Sequence, residues 1–226
     1  MDNNGIDYFS RKHPLRKVAS RISFSTRKRM FDFFMNEFKP DSVTKILDVG
    51  VTPDESLPES NYFEKWYPFP SNIVATGIED VTGLASIFEG VMFVKTENLD
   101  LPFACRSFDI VFCSAVLEHV GCERNQRKFV SELLRVGKSF FILTPNRFFP
   151  VEFHTFLPLV HWLPQEAHQS LLQKMGKGFW AQTKNLNLLS TRTLAELFPD
   201  DAEVRIKKIR LLGMTSNLAA YGRSPL

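Results

Sequence analysis

The chain has 226 residues, 44% of them hydrophobic and 23% charged, which excludes a fibrous or wholly disordered polypeptide. At about 150 residues per domain this length favours a single domain, residues 1–226, able to bury a core without disulfide or metal staples. A net charge of +3 is only mildly basic, and three scattered cysteines, Cys105, Cys113 and Cys122, form neither a disulfide framework nor a metal knuckle. A reducing, cytoplasmic location is expected. No apolar run approaches the ~20 residues of a membrane span, and residues 1–5 carry no apolar signal-peptide core.

Residues 11–30 hold Arg11, Lys12, Arg16, Lys17, Arg21, Arg27, Lys28 and Arg29 and no acid. The run reads as a solvated arm within a basic helical N-terminal extension, residues 1–40. The competing reading is a face for an anionic substrate or a peripheral membrane contact. Phe31, Phe34, Met35 and Phe38 fall on one stripe, which predicts a helix over 27–38. Lys45-Ile46-Leu47-Asp48-Val49-Gly50 reads as a buried strand. Thr52, Pro53 and Glu55 have the pattern of a capping box and predict a short helix ended by Pro58, with a further turn or two over 61–67.

Strands are predicted over 72–79, 91–95, 107–114 and 139–144, with a short helix over 82–88 whose Leu84, Ile87 and Phe88 turn inward. An amphipathic helix over 124–136 buries Phe129, Val130, Leu133 and Leu134. A Pro- and aromatic-rich stretch follows to Pro164, then helices over 166–175 and from a Ser190 cap to 198. Strands over 203–212 and 216–222 end the chain. Strands alternating with helices imply an α/β fold: a Rossmann-like, seven-stranded, mostly parallel sheet with helices on both faces and an antiparallel last strand. Ligands on such sheets bind beyond the carboxyl ends of the strands.

Gly50 after the first strand and Glu79 after the second suit a nucleoside-containing cofactor, because glycine admits close approach and an acid accepts hydrogen bonds from a ribose diol. The glycines of a dinucleotide fingerprint and the lysine of a phosphate loop are missing, which argues against a pyrophosphate ligand.

Ile46-Leu47-Asp48-Val49-Gly50, Thr76-Gly77-Ile78-Glu79, Glu97-Asn98-Leu99-Asp100-Leu101-Pro102-Phe103, Ser107-Phe108-Asp109-Ile110-Val111 and Leu117-Glu118-His119-Val120 together resemble the class I S-adenosylmethionine-dependent methyltransferases of the type-11 group. The resemblance is clear over residues 30–146 and looser beyond. It implies S-adenosylmethionine as methyl donor. Gly50 would line its methionine end, with Asp48 orienting that loop or meeting the amino group through water. Glu79 would hold the ribose, Glu97 and Asn98 would face the adenine, and Ser114 and Ala115 would lie under the sulfonium. One departure stands out: Val51-Thr52-Pro53 replaces the family's second glycine.

Methyl transfer needs positioning, and a base only where the acceptor must lose a proton. Candidates for that base are His119 and His154, each weighed against a packing role. His154, His161 and His168 are evenly spaced, but Pro158 and Pro164 break any common helix, so no metal is expected. Asn146 suits a turn or an acceptor contact, and Cys113 a core position. The expected acceptor is a small molecule, lipid or glycan, methylated at oxygen, with residues 147–189 as an acceptor-side insertion and lid. Nucleic acid is disfavoured, because an Asn/Asp-Pro-Pro-aromatic motif is absent after the fourth strand. The rivals are a non-catalytic module acting through a partner, suggested by the Pro53 loop, and an RNA methyltransferase, suggested by the basic run.

Overall fold

A computed structural model describes residues 16–225, with side chains from Ser20 onward. Arg11 and Lys12 lie outside the described residues, as do the side chains of Arg16 and Lys17. The elements in chain order are α1 (Arg16–Phe38), β1 (Ile46–Val49), α2 (Tyr62–Trp66), β2 (Ile73–Gly77), β3 (Met92–Lys95), β4 (Phe108–Ser114), α3 (Glu123–Val136), β5 (Gly137–Pro145), α4 (Gln165–Lys174), α5 (Thr191–Ala195), β6 (Glu203–Leu211) and β7 (Met214–Arg223).

The seven strands form one sheet in the order β3-β2-β1-β4-β5-β7-β6. The pairs β1–β2, β1–β4, β2–β3 and β4–β5 are parallel, and β7 runs antiparallel to both β5 and β6. The expected α/β sheet with its antiparallel last strand is therefore the observed one. β1 and β4 lie centrally and are almost wholly buried, which accounts for their near-continuous apolar sequences. Alternate residues feed two cores. Ile46, Phe112, Phe141 and Ala219 pack under α1 and α2. Leu47, Val111, Phe140 and Leu218 pack on the opposite face, under α3 and α5.

Three local expectations are corrected. The helix predicted over 27–38 begins earlier, at Arg16, and takes in much of the basic run. The capping box at Thr52 does not form. Asn61, itself in the left-handed region at φ 44°, accepts from the Thr52 amide at 3.0 Å and donates to the Thr52 carbonyl at 2.7 Å and to Glu55 at 2.7 Å. The Thr52 hydroxyl accepts from the Asp54 amide instead, so residues 52–61 are a stapled loop. Residues 82–86 form a 3-10 turn, in which Leu84 is buried but Ile87 is 58% exposed: a tighter turn rotates Ile87 off the inward face. The Ser190 cap forms as expected, with a reciprocal capping box to Thr193.

Candidate active site

A cavity of about 410 Å³ opens at the carboxyl ends of β1, β2 and β4. Its size is ordinary for a small-molecule site. Asp48, Gly50, Glu79, Asn98, Ser114 and Ala115 all line it, as does His119. Glu97 does not. Its side chain is exposed, while its neighbours Thr96 and Asn98 line the cavity.

The loop after β1 is shaped by Gly50 at φ +108°, a conformation side chains disfavour. A Cβ added there would lie 2.0 Å from Val116 Cγ2, so the close approach that requires glycine is to this valine, itself a cavity wall. Gly50→Ala is expected to displace the loop from Val116 and weaken cofactor binding by tenfold or more, with a smaller loss of stability. Calorimetric titration beside a thermal melt checks this, and equal affinity in the variant would overturn it.

Asp48 is buried, and the buried Glu64 carboxyl lies beside it. Burial raises both carboxyls, and the negative charge of Glu64 raises Asp48 further. This end of the cavity therefore suits a cationic group, and an amino-acid ammonium fits it.

Ser114 and Ala115 stand where this cavity meets a second of about 100 Å³, and both residues line both spaces. Ala115 holds φ 58°, a strained setting for a residue with a side chain, and its amide donates to Leu143 O at 2.9 Å. The walls of the smaller cavity include Met30, Leu143, Pro145, Phe153 and Phe156. Arg27 from α1 also lines both cavities. It lies half-buried over the Tyr62 ring, donates to Ser23 Oγ at 2.5 Å and lies 4.0 Å from Glu59. Burial lowers its pKa, opposed by Tyr62 and Glu59. Tyr62 in turn donates to Ser114 Oγ at 3.1 Å.

His119 and His154 come together, with ring centroids 4.8 Å apart, and the Trp180 ring is 4.8 Å from His154. His119 Nδ1 bonds Asn185 O at 2.7 Å. His154 Nδ1 bonds Glu152 at 2.5 Å, and the same carboxylate accepts from the amide and hydroxyl of Thr155, each at 2.6 Å. Burial would raise Glu152, but His154 and these donors hold it down at about 2. Burial would lower His154, yet Glu152 raises it. His119 is pushed down to about 3 by burial and by His154. Glu118, fully buried, is pushed up to about 7 by burial.

His161 does not join this pair; its Nε2 donates to Phe149 O at 2.7 Å. Asn146 makes a turn, accepting from the Phe148 amide and donating to Thr215 O. Cys113 is buried in the core, as its sequence suggests. Sequence reasoning missed Arg27, Glu59 and Glu152. Arg27 sat within an undifferentiated basic run, and nothing local in sequence marks a charge that tertiary packing will bury.

The type-11 methyltransferase family model, described as a methyltransferase domain, matches residues 73–140. Among solved structures, the PH0226 protein from Pyrococcus horikoshii OT3 superposes with a TM-score of 0.58 at 15% identity, covering 96% of this chain and 95% of that one. The N-methyltransferase NodS from Bradyrhizobium japonicum WM9, in complex with S-adenosyl-L-homocysteine, gives 0.54 at 10% identity, covering 88% and 87%. A Haloferax volcanii protein in complex with the Trm112 methyltransferase activator gives 0.55 at 13%, covering 94% and 96%. A search of curated protein sequences found no match. The matched segment and the fold together bear out the resemblance read from the motifs. Residues 73–140 thus match a methyltransferase domain, and the chain as a whole has the fold of S-adenosylmethionine-dependent methyltransferases.

Proposed function

We propose that the chain transfers a methyl group from S-adenosylmethionine to an oxygen of a small-molecule, lipid or glycan acceptor seated in the smaller cavity. The observation that carries this reading is the junction at Ser114 and Ala115, where a cofactor-sized cavity meets an apolar one. In this reading Asp48 and the Gly50 loop hold the methionine end, Glu79 the ribose, and Asn98 the adenine edge. Glu97 would reach the adenine only across the cavity rim. Ser114 and Ala115 lie under the sulfonium.

S-adenosylmethionine, when bound, would supply an electrophilic methyl, the C–O bond forming as C–S breaks with the electron pair left on sulfur, and the acceptor's O–H proton would pass to a histidine base. His119 and His154 meet that hydroxyl. Residues 147–189 form the acceptor-side lid. Asn185 anchoring His119, and the Asn187 amide donating to Glu118 O at 2.7 Å, support that role. The apolar walls favour an acceptor with an apolar body. A narrow apolar cavity suits RNA poorly, since a single strand needs a basic groove with stacking platforms.

Incubation with methyl-labelled S-adenosylmethionine and a panel of hydroxylated apolar compounds, glycans and RNA tests this. Label on an oxygen of a hydroxylated compound or glycan supports the reading. Label on nitrogen, or on RNA, overturns it. A second reading, in which the Val51-Thr52-Pro53 loop marks a module acting through a partner, is favoured if the purified chain binds no cofactor. The Haloferax protein with its activator shows that a neighbour of this fold forms such a complex.

Cofactor affinity should also depend on pH. Asp48 sits above its ordinary pKa in the free protein, and an ammonium beside it favours the ionised form. Binding therefore releases a proton, and affinity is expected to rise as pH increases through the raised value, then level off. Asp48→Asn should flatten the profile, and a profile unchanged by that substitution would exclude the pair as its cause.

A further inference from the structure

Glu118, His119 and His154 bring one potential ligand atom each to within 4.8 Å of one another, the group of three that converges among the described residues. Two ligands held ~2.1 Å from one ion stand ~3–3.5 Å apart, so the widest pair would have to close by about 1.3–1.8 Å. Glu118 is fully buried, and its Oε1 has no hydrogen-bond partner among the described residues. That oxygen lies 3.9 Å from His119 Nε2, too far for a hydrogen bond and near the spacing of two ligands on one cation.

The supporting contacts point the same way. Each of the three side chains is fixed through its other polar atom. The Thr144 hydroxyl donates to Glu118 Oε2 at 3.0 Å. The His119 Nδ1 proton goes to a backbone carbonyl and that of His154 to the Glu152 carboxylate. These partners select the tautomer in which Nε2 carries the lone pair, the arrangement that orients metal-binding imidazoles.

We propose that Glu118, His119 and His154 form a binding site for one borderline divalent cation, of the zinc or manganese type, at the junction of the two cavities. Two imidazoles and a carboxylate leave coordination positions open, and Glu118 and His154 line the smaller cavity. The proposal rests on the methyl-transfer reading for its purpose and sharpens it. The ion would act as a Lewis acid on the acceptor hydroxyl, whose proton passes to solvent, so the substrate class becomes an alcohol or phenol able to ligate through oxygen. The histidines then act as ligands rather than as bases.

The test is calorimetric titration of the metal-stripped full chain with zinc chloride and manganese chloride, with S-adenosylmethionine titrated separately. The expected result is one ion per chain, lost in Glu118→Gln and His154→Gln. Glu152→Gln, which touches only the His154 Nδ1 side, should weaken binding by about 10–100-fold. Substoichiometric binding, or full binding in the Glu118 and His154 variants, overturns the site. Should those variants misfold, X-ray absorption of the cobalt-loaded native chain decides. Two imidazoles with a carboxylate support the proposal, and a sulfur-containing or all-oxygen shell refutes it. Metal binding without cofactor binding would remove the methyltransferase reading and leave the site; cofactor binding without metal binding would do the reverse.

Discussion

Replacing Glu79 with alanine is expected to weaken binding of S-adenosylmethionine and its demethylated product by at least about 100-fold, while the melting temperature changes little. Glu79 lies two residues past β2 on the wall of the larger cavity, partly exposed and outside both cores. In the proposed reading its carboxylate would accept from both hydroxyls of a ribose. Hydrogen bonds to a charged group contribute about 1.5–3 kcal/mol each, so losing two removes about 3 kcal/mol or more. Each 1.4 kcal/mol is about tenfold in affinity. Glu79→Gln keeps one acceptor oxygen and should fall between. Calorimetry decides: equal affinity in the alanine variant would place the ribose elsewhere and sink the assignment of this cavity to the cofactor.

Phe34→Ala is expected to cost about 3–5 kcal/mol of stability, the range for deleting a large buried aromatic. Phe34 is 0% exposed and is the ring through which α1 grips the sheet. Its centroid lies 5.3 Å from those of Phe38 and Phe63 and 5.4 Å from those of Phe112 and Phe141. These rings come from β4, β5 and α2 as well as from α1. The cavity left is enclosed by aromatic rings on several elements, so it cannot collapse cheaply. Because α1 also carries Arg27 and Met30 into the smaller cavity, acceptor binding should fall further than cofactor binding. Urea unfolding measures the first effect. A shift below about 1 kcal/mol would mean that α1 is not anchored here.

Much of the architecture follows from local pattern. The apolar runs at 46–49, 108–114 and 137–145 can only be strands buried on both faces, and the period of 3.6 in α3 sets which residues it buries. The positions after those strands were legible as site positions because a parallel sheet exposes its strand ends at one edge. Asp48, Gly50, Glu79, Asn98, Ser114 and Ala115 accordingly share one cavity. The loop at 52–61 was not legible. Thr52 had two partners to choose between, and the competitor, Asn61, acts through a left-handed backbone that no residue type announces by itself.

What the sequence alone determined is the order and type of the main elements, the parallel sheet they build, and the cofactor edge that its strand ends define. These depend on periodicity and on motifs contained within a few residues. What only the tertiary structure decided is the cluster around the smaller cavity. Arg27 packs half-buried over Tyr62, and Glu118 and His119 come within 4.8 Å of His154, across sequence separations that no local pattern records. The physical reason is burial. A charge is indifferent to its neighbours while water screens it, and acquires a role only when packing removes the water and leaves it specific partners.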